Sequence, residues 1–168
     1  WGLLGSPHAR FTSFLRSPGS MIDYGRRLLG GRPPAFAGHN PLGGAMVLVM
    51  LLSLSFQAVS GLFMTDDIFF KAPLNGWVGG DTVDILMALH HLNANLLVLL
   101  IAGHLLALVV HRLKGERLVG AMITGRKALE RRPEDEPGAG LERRTASLWL
   151  ALVLVVLCAL PVIWLWYA

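Results

Sequence analysis

Charged residues leave three long gaps in this chain. No Asp, Glu, Lys or Arg lies between Arg32 and Asp66, between Asp84 and Arg112, or after Arg144. The apolar parts of these gaps read GAMVLVMLLSLSFQAVSGLFM, ILMALHHLNANLLVLLIAGHLLALVV and ASLWLALVLVVLCALPVIWLWYA. Each holds about 20 residues or more, enough at about 1.5 Å per residue to cross a hydrocarbon layer of about 30 Å. Backbone groups in lipid must be satisfied within the segment, which predicts helices. The expected fold class is an all-α transmembrane helical bundle with three spans. Asn40 followed by Pro41 supplies a cap and a first-turn proline for the first span. Asp81 to Asp84, with Thr82, is the expected start of the second, and Thr145 or Ser147 of the third. Gly115 follows the second span as a stop signal. Pro161 is expected to kink the third.

Composition removes the main alternative, a soluble protein with buried apolar helices. Only 15% of the 168 residues are charged, against about 25% in soluble domains. Three such helices would leave too little polar mass to cover them. The single cysteine, Cys158, excludes a disulfide framework or a Cys-rich metal cluster within the chain, and is expected to act as a small apolar filler. The pI near 9.8 would suit a nucleic-acid binder, but the positions of the charges explain it as membrane topology. Arg10, Arg16, Arg26, Arg27 and Arg32 precede the first span, and nine basic residues lie from Arg112 to Arg144. The loop between the first two spans carries Lys71 against Asp66, Asp67, Asp81 and Asp84. The positive-inside rule therefore places the first segment and the long linker in the cytoplasm and the acidic loop outside. Trp164, Trp166 and Tyr167 form an expected outer aromatic anchor, with Trp149 near the inner interface.

The expected organisation is a cytoplasmic segment over 1–40, two spans over 41–112, a solvated linker over 113–144 with a flexible PEDEPGAG run, and a further span over 145–168. The chain begins at Trp1, and WGLLGS reads as the end of a helix already under way. No internal repeat, phosphate-binding glycine motif or nucleophile constellation is present.

Chemistry concentrates in the second span, which carries His90, His91, His104 and, at its end, His111. Ionisable residues inside a membrane are costly and mark function. His90 and His104 are 14 residues apart, which at 100° per residue puts them about 40° from each other on one face and about 21 Å apart along the axis. That spacing suits two haems at different membrane depths, each taking one imidazole. Interhelical hydrogen bonding is the open alternative. His91 is about 140° from His104 and is the weaker candidate. His111 adjoins Arg112 at the water boundary and reads as interfacial. Ala94, Ala102, Gly103 and Ala107 reduce bulk near the histidines, as a macrocycle or a close helix would require. A second imidazole on each iron favours electron transfer over oxygen binding. His8 and His39 both lie in loop regions and cannot supply it at His90.

The segments WGLLGSPHARFTSFLRSP, GHNPLGGAMVLVMLLSLSFQAVSGLF, LHHLNANLLVLLIAGH and MITGRK, in this order from Trp1 to about Lys127, together resemble the bacterial cytochrome b561 family, which includes the b-type cytochrome subunits of nickel–iron hydrogenases. The resemblance implies a four-helix core with two b-type haems whose last core helix carries two histidines, here matching His90 and His104. It implies that their partner ligands lie on two earlier helices absent from this chain, so that the spans here are helices three, four and an added fifth. His91 stands where relatives carry an acidic residue. Also implied are a multi-pass location in the bacterial inner membrane and electron relay between a quinone pool and a redox partner, such as a c-type cytochrome or a hydrogenase, with no nucleic acid involved. Arg10 and Arg112 are candidates for haem propionates, since Arg pairs bidentately with carboxylates. A non-redox membrane scaffold and, with less support, a transporter component with a histidine-lined proton path are the competing readings.

Overall fold

The computed structural model describes residues 1–31, 33–66, 68–124, 127, 132–135 and 146–167. Arg32, Asp67, Thr145, residues 136–140 of the PEDEPGAG run and several linker arginines lie outside the described residues, as does the Trp166 side chain. After a short 3-10 turn (Pro7–Ala9) come helices α1 (Phe11–Phe14), α2 (Pro18–Leu29), α3 (Pro41–Gly61), α4 (Gly80–Leu113), α5 (Leu118–Thr124) and α6 (Leu148–Tyr167). The described residues are helical apart from turns and an isolated bridge between Thr65 and Lys71. Helices α3, α4 and α6 are each long and apolar enough to cross a membrane. Their apolar side chains stay largely uncovered: Leu52, Leu99 and Val155 are each more than 60% exposed. Water would not tolerate three such surfaces, and hydrocarbon does. The chain is therefore an all-α membrane-spanning protein.

The helix ends follow local chemistry. Asn40 Oδ1 accepts from Gly43 N at 2.7 Å, and the Asn40 carbonyl accepts from Gly44 N at 2.8 Å, so the expected cap forms. Helix α4 starts earlier than expected. The Gly79 carbonyl takes the first bonds, from Thr82 N and Val83 N, and Asp81 falls within the first turn, where its charge complements the helix N-terminus. Ser147 caps α6, its hydroxyl accepting from Trp149 N at 3.2 Å. Helix α4 ends in a Schellman motif: Glu116 N donates to the His111 carbonyl, and Gly115 N to that of Arg112. Gly115 has φ of +89°, a conformation other residues adopt only under strain. Pro161 lies inside α6, whose helical assignment continues past it. Cys158 is exposed on α6 and so does not act as a packing filler among the described residues.

The described residues divide into two compact units. The first comprises 1–47 and 106–157. Its small core is Phe14, Tyr24 and Phe36, with Tyr24 packed edge-on to Phe36 at 5.7 Å. Burial, with the charge of Glu116 adding to it, pushes the Tyr24 phenol above its ordinary range. Described parts of the linker are pinned down rather than free in solvent. Lys114 Nζ donates to the Leu28 carbonyl at 2.6 Å and Lys127 Nζ to that of Phe36 at 2.8 Å. Glu134 N donates to the Ala35 carbonyl, and the Asp135 carboxylate accepts from Ala37 N and Gly38 N at 2.6 and 2.7 Å. The linker's apolar content suggested a solvated connection because this docking uses charge and backbone bonds instead of apolar area.

The second unit comprises 48–105 and 158–168. In it α3 and α4 run antiparallel, joined by a turn-rich connection in which Asp66 Oδ1 accepts from the backbone N of Ile68, Phe69 and Phe70. These bonds hold the Asp66 carboxyl below its usual range.

Gly44 marks a close approach within the first unit. An added Cβ would meet the Phe14 carbonyl oxygen at 2.5 Å, whereas at Gly25 the nearest atom is a Leu42 methyl at 3.8 Å. Gly25→Ala is expected to stabilise by up to about 1 kcal/mol through helix propensity. Gly44→Ala is expected to destabilise, because backbone must move. Thermal unfolding of the complete protein in detergent should separate the two variants in opposite directions.

Candidate functional site

The buried side of α4 in the second unit runs through Val83, His90, Asn93, Leu97 and His104. Their spacing of seven, three, four and seven keeps them on one face. Asn93 and Leu97 are buried, and His90 and His104 are half-buried. His91 is exposed, its ring edge-on to that of His90 at 6.0 Å.

Opposite this stripe α3 presents Ser53, Gln57 and Ser60, spaced four and three residues apart. The two faces are joined by one hydrogen-bonded chain. Ser53 Oγ donates to Asn93 Oδ1 at 2.6 Å. Asn93 Nδ2 donates to the Ser53 carbonyl at 2.9 Å and to Gln57 Oε1 at 2.7 Å. Gln57 Nε2 lies 2.8 Å from His90 Nε2, and His90 Nδ1 lies 2.9 Å from Ser60 Oγ. Ser60 Oγ also lies 2.7 Å from the Phe56 carbonyl, to which it donates. Ser60 is 1% exposed. A Cβ on Gly61 would come within 3.4 Å of His90 Cε1, so the missing side chain leaves room for the ring.

Donor directions around this chain assign the histidine tautomer. Gln57 Oε1 is the acceptor for Asn93, so Gln57 Nε2 must be the donor to His90 Nε2. With Ser60 Oγ donating to the Phe56 carbonyl, it accepts from His90 Nδ1–H. In this arrangement His90 carries a proton on Nδ1 and a lone pair on Nε2.

His104 has no hydrogen-bond or ion-pair partner among the described residues. In the first unit His111 is 6% exposed, with Nδ1 at 3.3 Å from Glu116 Oε2. That is an ion-pair distance, although Nδ1 lacks an aligned hydrogen bond. His111 and then Lys127 hold the Glu116 carboxyl below its usual range, against the opposing effect of burial. His111 therefore belongs to the linker docking more than to an open interface. Arg10 is exposed, with Nε donating to the Gly5 carbonyl at 2.9 Å. Arg112 is also exposed, beside a small pocket of about 130 Å³ that Glu116 shares. A second pocket of about 210 Å³ lies among Arg16, Asp23, Tyr24 and Glu134. Neither pocket borders His90 or His104.

Residues 1–125 match the family model described as Prokaryotic cytochrome b561. The chain belongs to the prokaryotic cytochrome b561 family. With its three apolar spans, membership makes it a multi-pass membrane chain of a b-type haem electron-transfer protein. Comparison with curated proteins and with solved structures gives no match.

The donor set of this cytochrome chain leaves His104, but not His90 as arranged here, open to a haem iron. No group of three or more His, Cys, Asp or Glu able to hold a bare metal ion occurs among the described residues, and an iron already held by a porphyrin needs only axial imidazoles. His104 has an unengaged ring. His90 has Nε2 held by Gln57 and Nδ1 by Ser60, so neither ring nitrogen is open to an iron in this arrangement. Sequence reading missed Ser53, Gln57, Ser60 and Asn93. Their signal was legible: amides and hydroxyls at helical spacing within otherwise apolar spans.

In the first unit His39 stacks on Phe14 with ring centroids 4.9 Å apart, and its Nδ1 is buried without a partner. Burial lowers its pKa from the ordinary 6.5; Asp135 opposes this and Lys127 adds to it. A depressed histidine contributes stability that is fully present above about 6.5 and is lost as pH falls through the lower folded value. The thermal midpoint of the complete protein should therefore drop between pH 7.5 and pH 5.5, and the His39→Gln variant should show a smaller drop over the same interval.

Proposed function

We propose that the chain relays electrons across the bacterial inner membrane, between a quinone pool and a partner redox protein such as a c-type cytochrome or a hydrogenase. In this reading His90 and His104 each give one axial imidazole to one of two b-type haems, and the second imidazole on each iron comes from elsewhere in the complete protein. The reading is carried by the placement of His90 and His104 on one buried stripe of α4, about 21 Å apart along its axis. A bound haem supplies a one-electron ferric–ferrous couple. The chain's own contribution is to hold two imidazoles at different depths and to keep water from them with apolar helix surface. Bis-histidine ligation would leave no open iron position, which suits relay rather than oxygen chemistry.

The basic residues before α3 and after α4 support the expected cytoplasmic placement of those segments. Arg10 and Arg112 lie in them, and neither has a carboxylate partner among the described residues. We assign both to topology, with pairing to haem propionates as their secondary role.

A second reading draws on the two contacts to His90: both its ring nitrogens are engaged, as in a purely structural interhelical histidine. Haem content separates the readings. In membranes from the complete protein, reduced-minus-oxidised spectra should show that His90→Ala and His104→Ala each remove about one b-type haem. His91→Ala should remove none. Unchanged haem in both His90→Ala and His104→Ala would end the ligand assignment.

A further inference from the structure

We infer that α2 is an interfacial helix and that its outward stripe, Ile22, Arg26 and Leu29, binds anionic phospholipid where α3 begins and α4 ends. The inference is independent of which histidines ligate a haem.

The depth of α2 follows from what it touches. Within the first unit it meets the ends of two spans. A Cβ on Gly25 would lie 3.8 Å from a Leu42 methyl, and Leu42 is the second residue of α3. Close by along α2, the Leu28 carbonyl accepts from Lys114 Nζ at 2.6 Å, and Lys114 directly follows α4. The 21 residues of α3 cover about 31 Å, close to the thickness of a hydrocarbon core, so Leu42 marks the edge of that core. The Lys114 ammonium belongs on the watery side of the same edge. Helix α2 is therefore held at the boundary between acyl chains and headgroups.

The sides of α2 differ in what covers them. Tyr24 is buried in the small core, and Met21 and Leu28 are half-buried. On another side Arg27 pairs with Asp23 at 3.0 Å and reaches Glu134 at 3.3 Å, so its charge is met within the protein. The remaining stripe is open. Ile22 and Leu29 are 57% and 87% exposed. Arg26, between them, is also exposed and has no carboxylate partner among the described residues. Spacings of four and three put these residues on one face.

At the edge of a bilayer this combination has one natural occupant. The aliphatic side chains enter among the acyl chains, and the Arg26 stem runs beside them while its head stays with the phosphates. A guanidinium offers paired N–H donors that match phosphate oxygens. Phosphatidylglycerol keeps its negative charge, whereas the choline of phosphatidylcholine cancels it, so the stripe selects the anionic lipid. Arg27, already paired, adds little to that selection.

The test uses the complete protein in vesicles of phosphatidylglycerol and phosphatidylcholine in equal amounts. Cys158 and any other cysteine are replaced, and a fluorophore is placed on Ile22→Cys or Leu29→Cys. Quenching is measured with iodide from the water and with spin-labelled phosphatidylglycerol or phosphatidylcholine from the membrane. Both positions should be quenched by lipid, and more by phosphatidylglycerol, with a local enrichment of up to about fivefold for one basic residue at the surface. Arg26→Gln should remove the preference, and Arg27→Gln should keep most of it. Quenching by iodide alone would place α2 in water, and quenching by neither agent would mean that protein covers the stripe; either result overturns the inference. Equal quenching by the two lipids, or a preference that survives Arg26→Gln, overturns the headgroup site. The two labels are independent, so if one variant fails to assemble the other gives the same readout.

Discussion

Hydrocarbon offers no hydrogen bonds, so each amide, hydroxyl and imidazole between α3 and α4 has to find its partner inside the protein. The run from Ser53 through Asn93, Gln57 and His90 to Ser60 meets that demand with donors and acceptors in one consistent direction. It also sets register. Leucine and valine faces slide past one another at little cost in lipid, because lipid tails are as apolar as the helices. A shift of one turn between α3 and α4 would part Asn93 from Ser53 and His90 from Ser60 together. Individual interhelical bonds of this type contribute only about 0.6 kcal/mol on average. Their joint contribution is to make one alignment better than its neighbours.

The same constraint gives the two candidate haem ligands unequal surroundings. His90 sits between two helices of this chain, with both ring nitrogens engaged. His104 has no such partner among the described residues. The contrast is between an imidazole committed to its neighbour helix and one left open.

Charge serves two purposes in the first unit. Lysine and arginine outside the spans bias topology by number. Some of these residues, with acidic neighbours, also dock the linker: Lys114 and Lys127 on backbone carbonyls, Asp135 on two backbone N–H groups, and Glu116 between His111 and Lys127. Such contacts bury little apolar area, which is why their docking was invisible to a reading based on hydropathy.

Membrane-crossing helices, their count, the Asn40 cap and the stop at Gly115 followed from the sequence, because each depends on local rules: length against bilayer thickness, side-chain capping and backbone conformation. The one-face spacing of His90 and His104 followed from helix geometry for the same reason. Which of His90 and His91 turns inward on α3, which tautomer His90 adopts, and the recruitment of Ser53, Gln57, Ser60 and Asn93 were decided only by the tertiary structure. Those outcomes depend on residues 30 to 40 positions apart meeting across two helices, and a hydrogen-bond direction exists only once both partners are in place.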